Sequence, residues 1–400
     1  MQHQIPAASL GPDGDGMARA VTTCVHCGFC LAACPTYKVL GEEMDSPRGR
    51  IVLMKQALEG ELSIGEVLPY IDRCLGCLAC ETACPSGVRY RELVVPFRSL
   101  AESKARPAGE RWLRHALVSV LESPTRFRAA STAGRLAQGV ARWLPSRLRG
   151  MLALLPRTMP PAEPLPERVA ATAPRRARVA LLAGCVQRVL RPSINTATLR
   201  LLAANGVEVI VPRSQGCCGA LAQHTGLEAH GATLAAHNAS VFPADVDAIV
   251  TNAAGCGSAM KAGAYAAPVR DVAEFLDALG LITPLAWPHP TTIAYHDACH
   301  LSHGQGVRAA PRRLLQQIEH VSLVEIPDGE MCCGSAGLYN LEHPDTAAEL
   351  GRRKALAIAA SGADMVVSGN IGCVTQIEAY LKIPVRHTVE VLNSAYSVAP

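Results

Sequence analysis

Sixteen cysteines in 400 residues carry most of the chemistry this chain can do, and eight of them stand in two matching runs. Cys24, Cys27, Cys30 and Cys34 with Pro35, then Cys74, Cys77, Cys80 and Cys84 with Pro85, each spell Cys-x2-Cys-x2-Cys-x3-Cys-Pro. Structural zinc takes four thiolates in a tetrahedron, and zinc modules supply them as two separated pairs. Three cysteines at i, i+3 and i+6 instead wrap three corners of a four-iron cubane, while the fourth, past a three-residue gap, reaches a neighbouring cluster. The spacing therefore predicts two [4Fe–4S] clusters with crossed ligands. Cys24, Cys27, Cys30 and Cys84 hold the first; Cys74, Cys77, Cys80 and Cys34 hold the second. Thiolate-bound iron exchanges single electrons with little rearrangement, so the implied chemistry is electron relay. His26, inside the first run, reads as a supporting or surface residue rather than a ligand.

The other eight cysteines fall into two sets of four. Cys185, Cys217, Cys218 and Cys256 are matched by Cys299, Cys332, Cys333 and Cys373 at offsets of 114, 115, 115 and 117. Their surroundings repeat as well: "RVALLAGC" with "TIAYHDAC", "GCCGAL" with "MCCGSA", "DAIVTNAAGC" with "DMVVSGNIGC" and "PVRDVAEFL" with "PVRHTVEVL". Self-similarity of this kind marks a tandem duplication. Adjacent cysteines fit poorly on one tetrahedral ion; they can cap neighbouring irons, or one can stay free. Gly219 and Gly334 are expected to let the backbone approach a metal closely.

The elements that must position these side chains follow from the pattern around them. In each repeat an apolar run ends at the first cysteine, a helical stretch follows, and further strands precede the Cys-Cys-Gly and the last cysteine. That alternation predicts α/β units with parallel sheets and cysteines on loops at the strand ends. Between the two ferredoxin-like runs, Ile51, Met54, Leu58 and Leu62 recur near helical spacing. The fold class expected is a multidomain α+β chain: a helical 2×[4Fe–4S] module over 1–100, a basic helical segment and Pro/Ala/Arg linker over 101–177, and cysteine-rich α/β domains over 178–285 and 290–400. Residues 101–178 hold fourteen Arg and one Lys against five Glu. This segment reads first as a solvated connector of short amphipathic helices; docking on an anionic membrane face or an acidic subunit is the sharper reading, kept alive by Trp112 and Trp143.

Composition excludes several classes. Cysteine at this density is far below that of a small disulfide scaffold, and the opening residues show no basic stretch followed by an apolar one. No run approaches the roughly 18 apolar residues of a membrane span. A net charge of +4 is too mild to argue for nucleic acid. A cytoplasmic chain is expected, in which thiols serve metals rather than disulfides.

The doubled ferredoxin motif, the "SPRGRI" segment, and the two Cys-Cys-Gly repeats with "HDACHLSHGQG" together resemble the iron–sulfur subunit of bacterial glycolate oxidase (glycolate dehydrogenase), over nearly the whole chain. The architecture is shared with the iron–sulfur subunit of anaerobic glycerol-3-phosphate dehydrogenase and, in its second half, with heterodisulfide reductase. The resemblance implies a multi-subunit oxidoreductase in which flavoprotein subunits oxidise glycolate to glyoxylate. This chain would pass the electrons to a quinone or another acceptor, with a peripheral place on the inner membrane face as a further reading. It implies no activity of the chain alone, and no flavin or nucleotide within it.

One departure matters. The heterodisulfide reductase repeat has a fifth cysteine three residues after the last one, where this chain has Ala259 and Gln376. The eight repeat cysteines remain candidate ligands of a four-thiolate iron–sulfur centre or zinc, with a metal-free partner surface as the alternative. His296, His300 and His303 stand beside the second set, but Leu182, Val186 and Val189 hold the matching places in the first, so a structural role is expected. "GQGVRA", with Glu325 about twenty residues on, mimics a dinucleotide fingerprint; "HDACHLSH" separates it from its strand, and nucleotide binding is discounted. No Ser/His/Asp set or phosphate loop emerges. A disulfide reductase acting at the Cys-Cys-Gly sites and a zinc-dependent interaction protein remain the competing classes.

Overall fold

The computed structural model describes residues 4–143, 149–150, 152, 154–156, 158–282 and 285–396. Its first hundred residues are helical. α1 (Gly14–Thr23), α4 (Pro47–Leu58), α5 (Ile64–Asp72) and α7 (Arg91–Lys104) close around Met17, Val21, Met54, Ile71, Leu93 and Phe97. Burying each such side chain contributes about 1.5–3 kcal/mol. Local signals start these helices. Ser46 caps α4 by accepting from the Gly49 N–H at 3.0 Å, with Pro47 in the first turn, and Ser63 forms a capping box with Glu66 at the start of α5.

Each ferredoxin-like run has the same local build. Cys24 and Cys74 follow the last turns of α1 and α5, donating their N–H to Val21 and Ile71. The short helices α2 (Phe29–Ala33) and α6 (Ala79–Thr82) then carry Cys30 and Cys80, and α3 (Pro35–Leu40) begins directly after Cys34. Between the first and third cysteines the chain turns left-handed twice. In the first run His26 (φ 56°) and Gly28 (φ 86°) take that shape; in the second Gly76 (φ 64°) and Leu78 (φ 65°) do. One position of each pair is glycine, and the other bears a side chain in a region that costs it about 1–2 kcal/mol. Backbone bent this way points successive N–H groups into a concavity, an arrangement suited to negative charge.

The rest of the chain forms two parallel sheets. β1 (Arg168–Val169), β2 (Ala177–Leu182), β3 (Val207–Ile210), β4 (Ala248–Thr251) and β5 (Val269–Asp271) lie in the order β1-β3-β2-β4-β5. β6 (Ala286–Tyr295), β7 (Glu319–Val324), β8 (Met365–Ser368) and β9 (Val385–His387) lie in the order β7-β6-β8-β9. Apart from β1, which pairs antiparallel with β3, the two orders are identical and every pairing is parallel. The sheets share one core through a reciprocal exchange. Helix Ser193–Ala204 of the first repeat packs on the final helix Thr388–Tyr396, and helix Val272–Leu279 packs on Ala309–Leu315 of the second.

Three expectations need correcting. The linker is not wholly irregular, because Arg168 and Val169 add an edge strand. The cysteines are not all on loops: Cys256, Cys299 and Cys373 sit in the first turns of helices Ala254–Lys261, Cys299–Ser302 and Ile371–Glu378. The basic segment is not a solvated connector either. α8 (Ala108–Glu122) and α9 (Pro124–Ala137) pack as a layer, tied down where Glu102 accepts from Arg106 at 2.6 Å and Arg114 at 2.8 Å. Arg106 also holds Asp72 at 2.7 Å, and Arg114 reaches Glu342 of the second repeat at 2.8 Å. These arginines are spent on buried pairing rather than on solvent. Of the amphipathic stretch expected over 135–156, residues 144–148, 151 and 153 lie outside the described residues. No helix among the described residues is long and apolar enough to cross a membrane.

Candidate metal centres

The eight N-terminal thiols converge on two recesses. Cys24, Cys27, Cys30 and Cys84 line one with Phe29, Ile51 and Val88. Cys34, Cys74, Cys77 and Cys80 line the other. Cys80 borders both, so the recesses adjoin. They differ in exposure. Cys27 is exposed, and Val25 and Phe29 beside it are each 68% exposed. Cys34 and Cys77 are buried.

The second recess is ringed by donors to sulfur. The Gly76 N–H meets Cys74 Sγ at 3.4 Å, the Tyr90 hydroxyl meets the same sulfur at 3.8 Å, and Arg50 Nη1 reaches Cys34 Sγ at 3.9 Å. Burial works against the Cys74 thiolate, but Arg50, Arg98 and these hydrogen bonds outweigh it and push its pKa down. Burial pushes Cys77 and Cys80 up. Apolar walls, converging thiols and N–H donors to sulfur are a donor set that fits an iron–sulfur cluster, whose potential such hydrogen bonds tune.

Arg50 explains the "SPRGRI" segment. It is 1% exposed, with Nη2 on Asp45 at 3.1 Å, Nε on the Tyr70 carbonyl at 2.8 Å and Nη1 on Thr36 at 3.0 Å. Arg48, two residues earlier, clamps Glu43 and donates to the His26 carbonyl at 3.2 Å, bracing the first cysteine loop. Arg50→Met is expected to destabilise the fold by about 1–3 kcal/mol, since it leaves the buried Asp45 carboxylate to Arg73 alone, at 2.8 Å. Anaerobic urea unfolding should show this as a lower midpoint, and an unchanged midpoint would remove Arg50 from the account.

In the first repeat all four thiols meet. Cys185 and Cys217 sulfurs are 3.6 Å apart, and Cys218 bridges to Cys217 and Cys256. Hydrogen bonds from Cys185 and Cys218 push Cys217 down, while the contact with Cys217 and burial push Cys185 up. In the second repeat Cys299 meets Cys332, Cys332 meets Cys333, and Cys333 meets Cys373. His296 joins this set: a ring nitrogen and the sulfurs of Cys333 and Cys373 lie within 4.8 Å of one another, all buried. Lys354, fully buried, donates to the Asp328 and Gly329 carbonyls at 3.2 and 2.9 Å and faces the same thiols. Sequence reasoning gives the histidine a structural role; its single-residue offset from the strand end is the available signal.

Gly219 and Gly334 also make room for neighbouring backbone. Both are left-handed (φ 84° and 93°), and a Cβ on either would come within 2.7 Å of a carbonyl, Gly231 or Ala347, on the following helix. The left-handed turn is thus required by a close approach between backbone segments. The missing fifth cysteines are filled by packing: Ala259 lies against the first repeat's core, and buried Gln376 donates to Ala347 at 2.9 Å and accepts from Asn340 at 2.8 Å. Gln305, within "GQGVRA", donates to the Ala254 carbonyl at 2.9 Å, an inter-repeat contact.

The helical module sits on both repeats. Cys77 packs with Cys332 and Cys299 in one apolar cluster with Leu75, Met331 and Tyr339. Thr82 meets His303 at 2.9 Å, and Lys38 pairs with Asp328 at 2.7 Å. Arg98 donates to the His224 carbonyl at 3.3 Å. Between the repeats lies a cavity of about 290 Å³, floored by the first repeat's four cysteines. His224 and His300 stand at its edge, their ring centroids 4.8 Å apart and their planes at 89°. Nothing in the sequence pairs these two histidines, which lie on different repeats.

A helical module with two cysteine-lined recesses, joined to duplicated Cys-Cys-Gly α/β units, defines an iron–sulfur protein of the dicluster type. The 4Fe-4S dicluster domain model matches residues 20–88, and the cysteine-rich domain model (CCG) matches residues 179–261 and 293–378. The chain is 37% identical to the glycolate oxidase iron-sulfur subunit of Escherichia coli, covering 96% of this chain and 95% of that one. It is 35% identical to the probable glycolate oxidase iron-sulfur subunit of Bacillus subtilis, covering 89% and 88%. A crystal structure of a hypothetical protein from Helicobacter pylori shares the fold, with a TM-score of 0.52 at 10% identity, covering 98% of this chain and 73% of that one. The chain belongs to the family of glycolate oxidase iron–sulfur subunits.

Proposed function

We propose that this chain is the electron relay of a glycolate oxidase complex, taking electrons from flavoprotein subunits and delivering them to an acceptor such as a quinone. The observation that carries the reading is the unbroken sequence of thiol sites. It begins at the exposed Cys27, continues through adjoining recesses that share Cys80, and passes from buried Cys77 directly to Cys299 and Cys332. In this reading Cys24, Cys27, Cys30 and Cys84 hold one [4Fe–4S] cluster, and Cys74, Cys77, Cys80 and Cys34 hold the other. The clusters would supply single-electron transfer. The protein's own part is to bind them, donate hydrogen bonds from Gly76, Tyr90 and Arg50 to the sulfurs, and keep water from the inner one. The repeat cysteines supply further metal sites, with His296 added in the second. Val25 and Phe29, apolar and exposed around Cys27, form the face on which a flavoprotein would dock.

Domain limits near 100, 178 and 290 follow from this division of labour. Reconstitution tests the relay. With flavoprotein partners and glycolate present, an artificial acceptor should be reduced only when this chain is added, and reduction by the partners alone at the same rate would end the proposal.

A further inference from the structure

We propose that the cavity between the two repeats binds a lipid-soluble quinone, with its headgroup at the histidine end and its hydrocarbon chain along the wall made by Leu121 of α8, Phe127 of α9, Leu154 and Leu155. The redox role assigned to this ligand rests on the relay reading; the binding site rests on the cavity itself.

The shape and lining select the class of ligand. At about 290 Å³ the space takes a ring-sized headgroup and the start of a chain, and it lies at an interface between units, where ligand sites concentrate. Leu121, Phe127, Leu154, Leu155 and Leu341 supply a hydrocarbon wall. Among the described residues lining it there is no Asp, Glu, Lys or Arg. A nicotinamide dinucleotide, or any acceptor bearing phosphates or carboxylates, would have its charges desolvated there without a partner. A neutral ring with an apolar tail carries no such penalty.

The polar end then reads the headgroup. Both ring nitrogens of His300 are buried and neither is hydrogen-bonded within the chain, an arrangement that is costly until a ligand supplies the partner. A neutral imidazole N–H donates to a carbonyl oxygen, and a quinone offers two such oxygens on a flat ring.

Position completes the case. The floor carries Cys185, Cys217, Cys218 and Cys256. On the opposite side His224 abuts the second ferredoxin-like loop so closely that a Cβ on Gly76 would lie 3.3 Å from its Nδ1. Electrons can therefore reach the cavity from thiol sites on either side. The same layer that walls it presents Trp112 and Leu136 outward, 71% and 84% exposed, alongside Arg126, a surface suited to the membrane interface where such quinones dissolve. The stoichiometry closes simply: quinone takes two electrons from the reduced iron–sulfur chain and two protons from water to become quinol, with no bond to the protein made or broken.

Binding of decylubiquinone to the oxidised, cluster-loaded chain, read by equilibrium dialysis without glycolate or partners, should saturate at one equivalent. Illuminating an azidoquinone on the wild-type chain should label peptides containing 121–127, 335–341 or 371–376. Thr375→Trp, which fills the cavity from helix Ile371–Glu378, should weaken binding by about tenfold or more. Absence of saturable binding, label confined to other peptides, or unaltered affinity in Thr375→Trp overturns the proposal. A failed relay would show separately, as absence of acceptor reduction by the wild-type complex.

Discussion

Cys84→Ser is expected to leave the helical module with about four of its eight iron atoms, and those that are lost should belong to the distant run, not to the one in which the mutation lies. Cys84 stands in the second motif by sequence but faces the recess of Cys24, Cys27 and Cys30, while Cys34 of the first motif faces Cys74, Cys77 and Cys80. Crossed ligation makes a specific pairing of phenotypes. Cys84→Ser should give the same electron paramagnetic resonance spectrum as Cys24→Ser, and Cys34→Ser the same as Cys74→Ser. Serine keeps the shape of the side chain but loses the soft thiolate that iron–sulfur chemistry requires. If Cys84→Ser instead matches Cys74→Ser, each motif holds its own cluster and the ligand assignment is wrong.

The second large effect is expected at Cys332. Oxidation of an alcohol such as glycolate removes a hydride, a two-electron event, whereas iron–sulfur sites take electrons singly, so the proposed relay places a flavin in a partner subunit between them. Cys332→Ser should therefore leave bleaching of the partner flavin by glycolate intact, while delivery to the acceptor falls by at least roughly tenfold; even removing an outer partner of a metal ligand costs about 10–100-fold. The physical reason is position: Cys332 shares an apolar cluster with Cys77 and so lies at the junction between the helical module and the repeats. Stopped-flow flavin absorbance alongside dye reduction separates the two steps. Loss of both together would place Cys332 in partner binding, and loss of neither would take the second repeat out of the electron path.

Much of this is legible in the sequence because the relevant signals are local. Cysteine spacing depends on how a short loop wraps a cluster, and the duplication is visible as repeated strand ends. The Ile51, Met54 and Leu58 pattern marks α4 for the same reason, since three residues on one helical face need only a few turns of chain to declare themselves. What escapes is long-range. The His224–His300 pair joins residues from different repeats, and no periodicity connects them. Arg106 and Arg114 read as solvated charge because their acidic partners Asp72 and Glu342 lie far off along the chain. β1 is two residues long, too short to show an alternation. The contact of Gly219 with Gly231 and of Gly334 with Ala347 escapes as well, because a sequence shows that backbone comes close to something, without showing to what.

The reciprocal packing of helices Ser193–Ala204 on Thr388–Tyr396 and Val272–Leu279 on Ala309–Leu315 has a consequence for how the two repeats could diverge. A repeat cut out alone would expose the apolar strip it now shares, and it could cover that strip only by pairing with a copy of itself in an isologous dimer. The second half of the chain is thus a homodimer written as one polypeptide. In a true homodimer any substitution appears twice, on both sides of the axis. Joined in one chain, the halves are free of that constraint: one thiol set acquires His296 and Lys354 and is sealed against Cys77, while its twin opens on a cavity. Broken symmetry gives the molecule a direction, and a wire needs one.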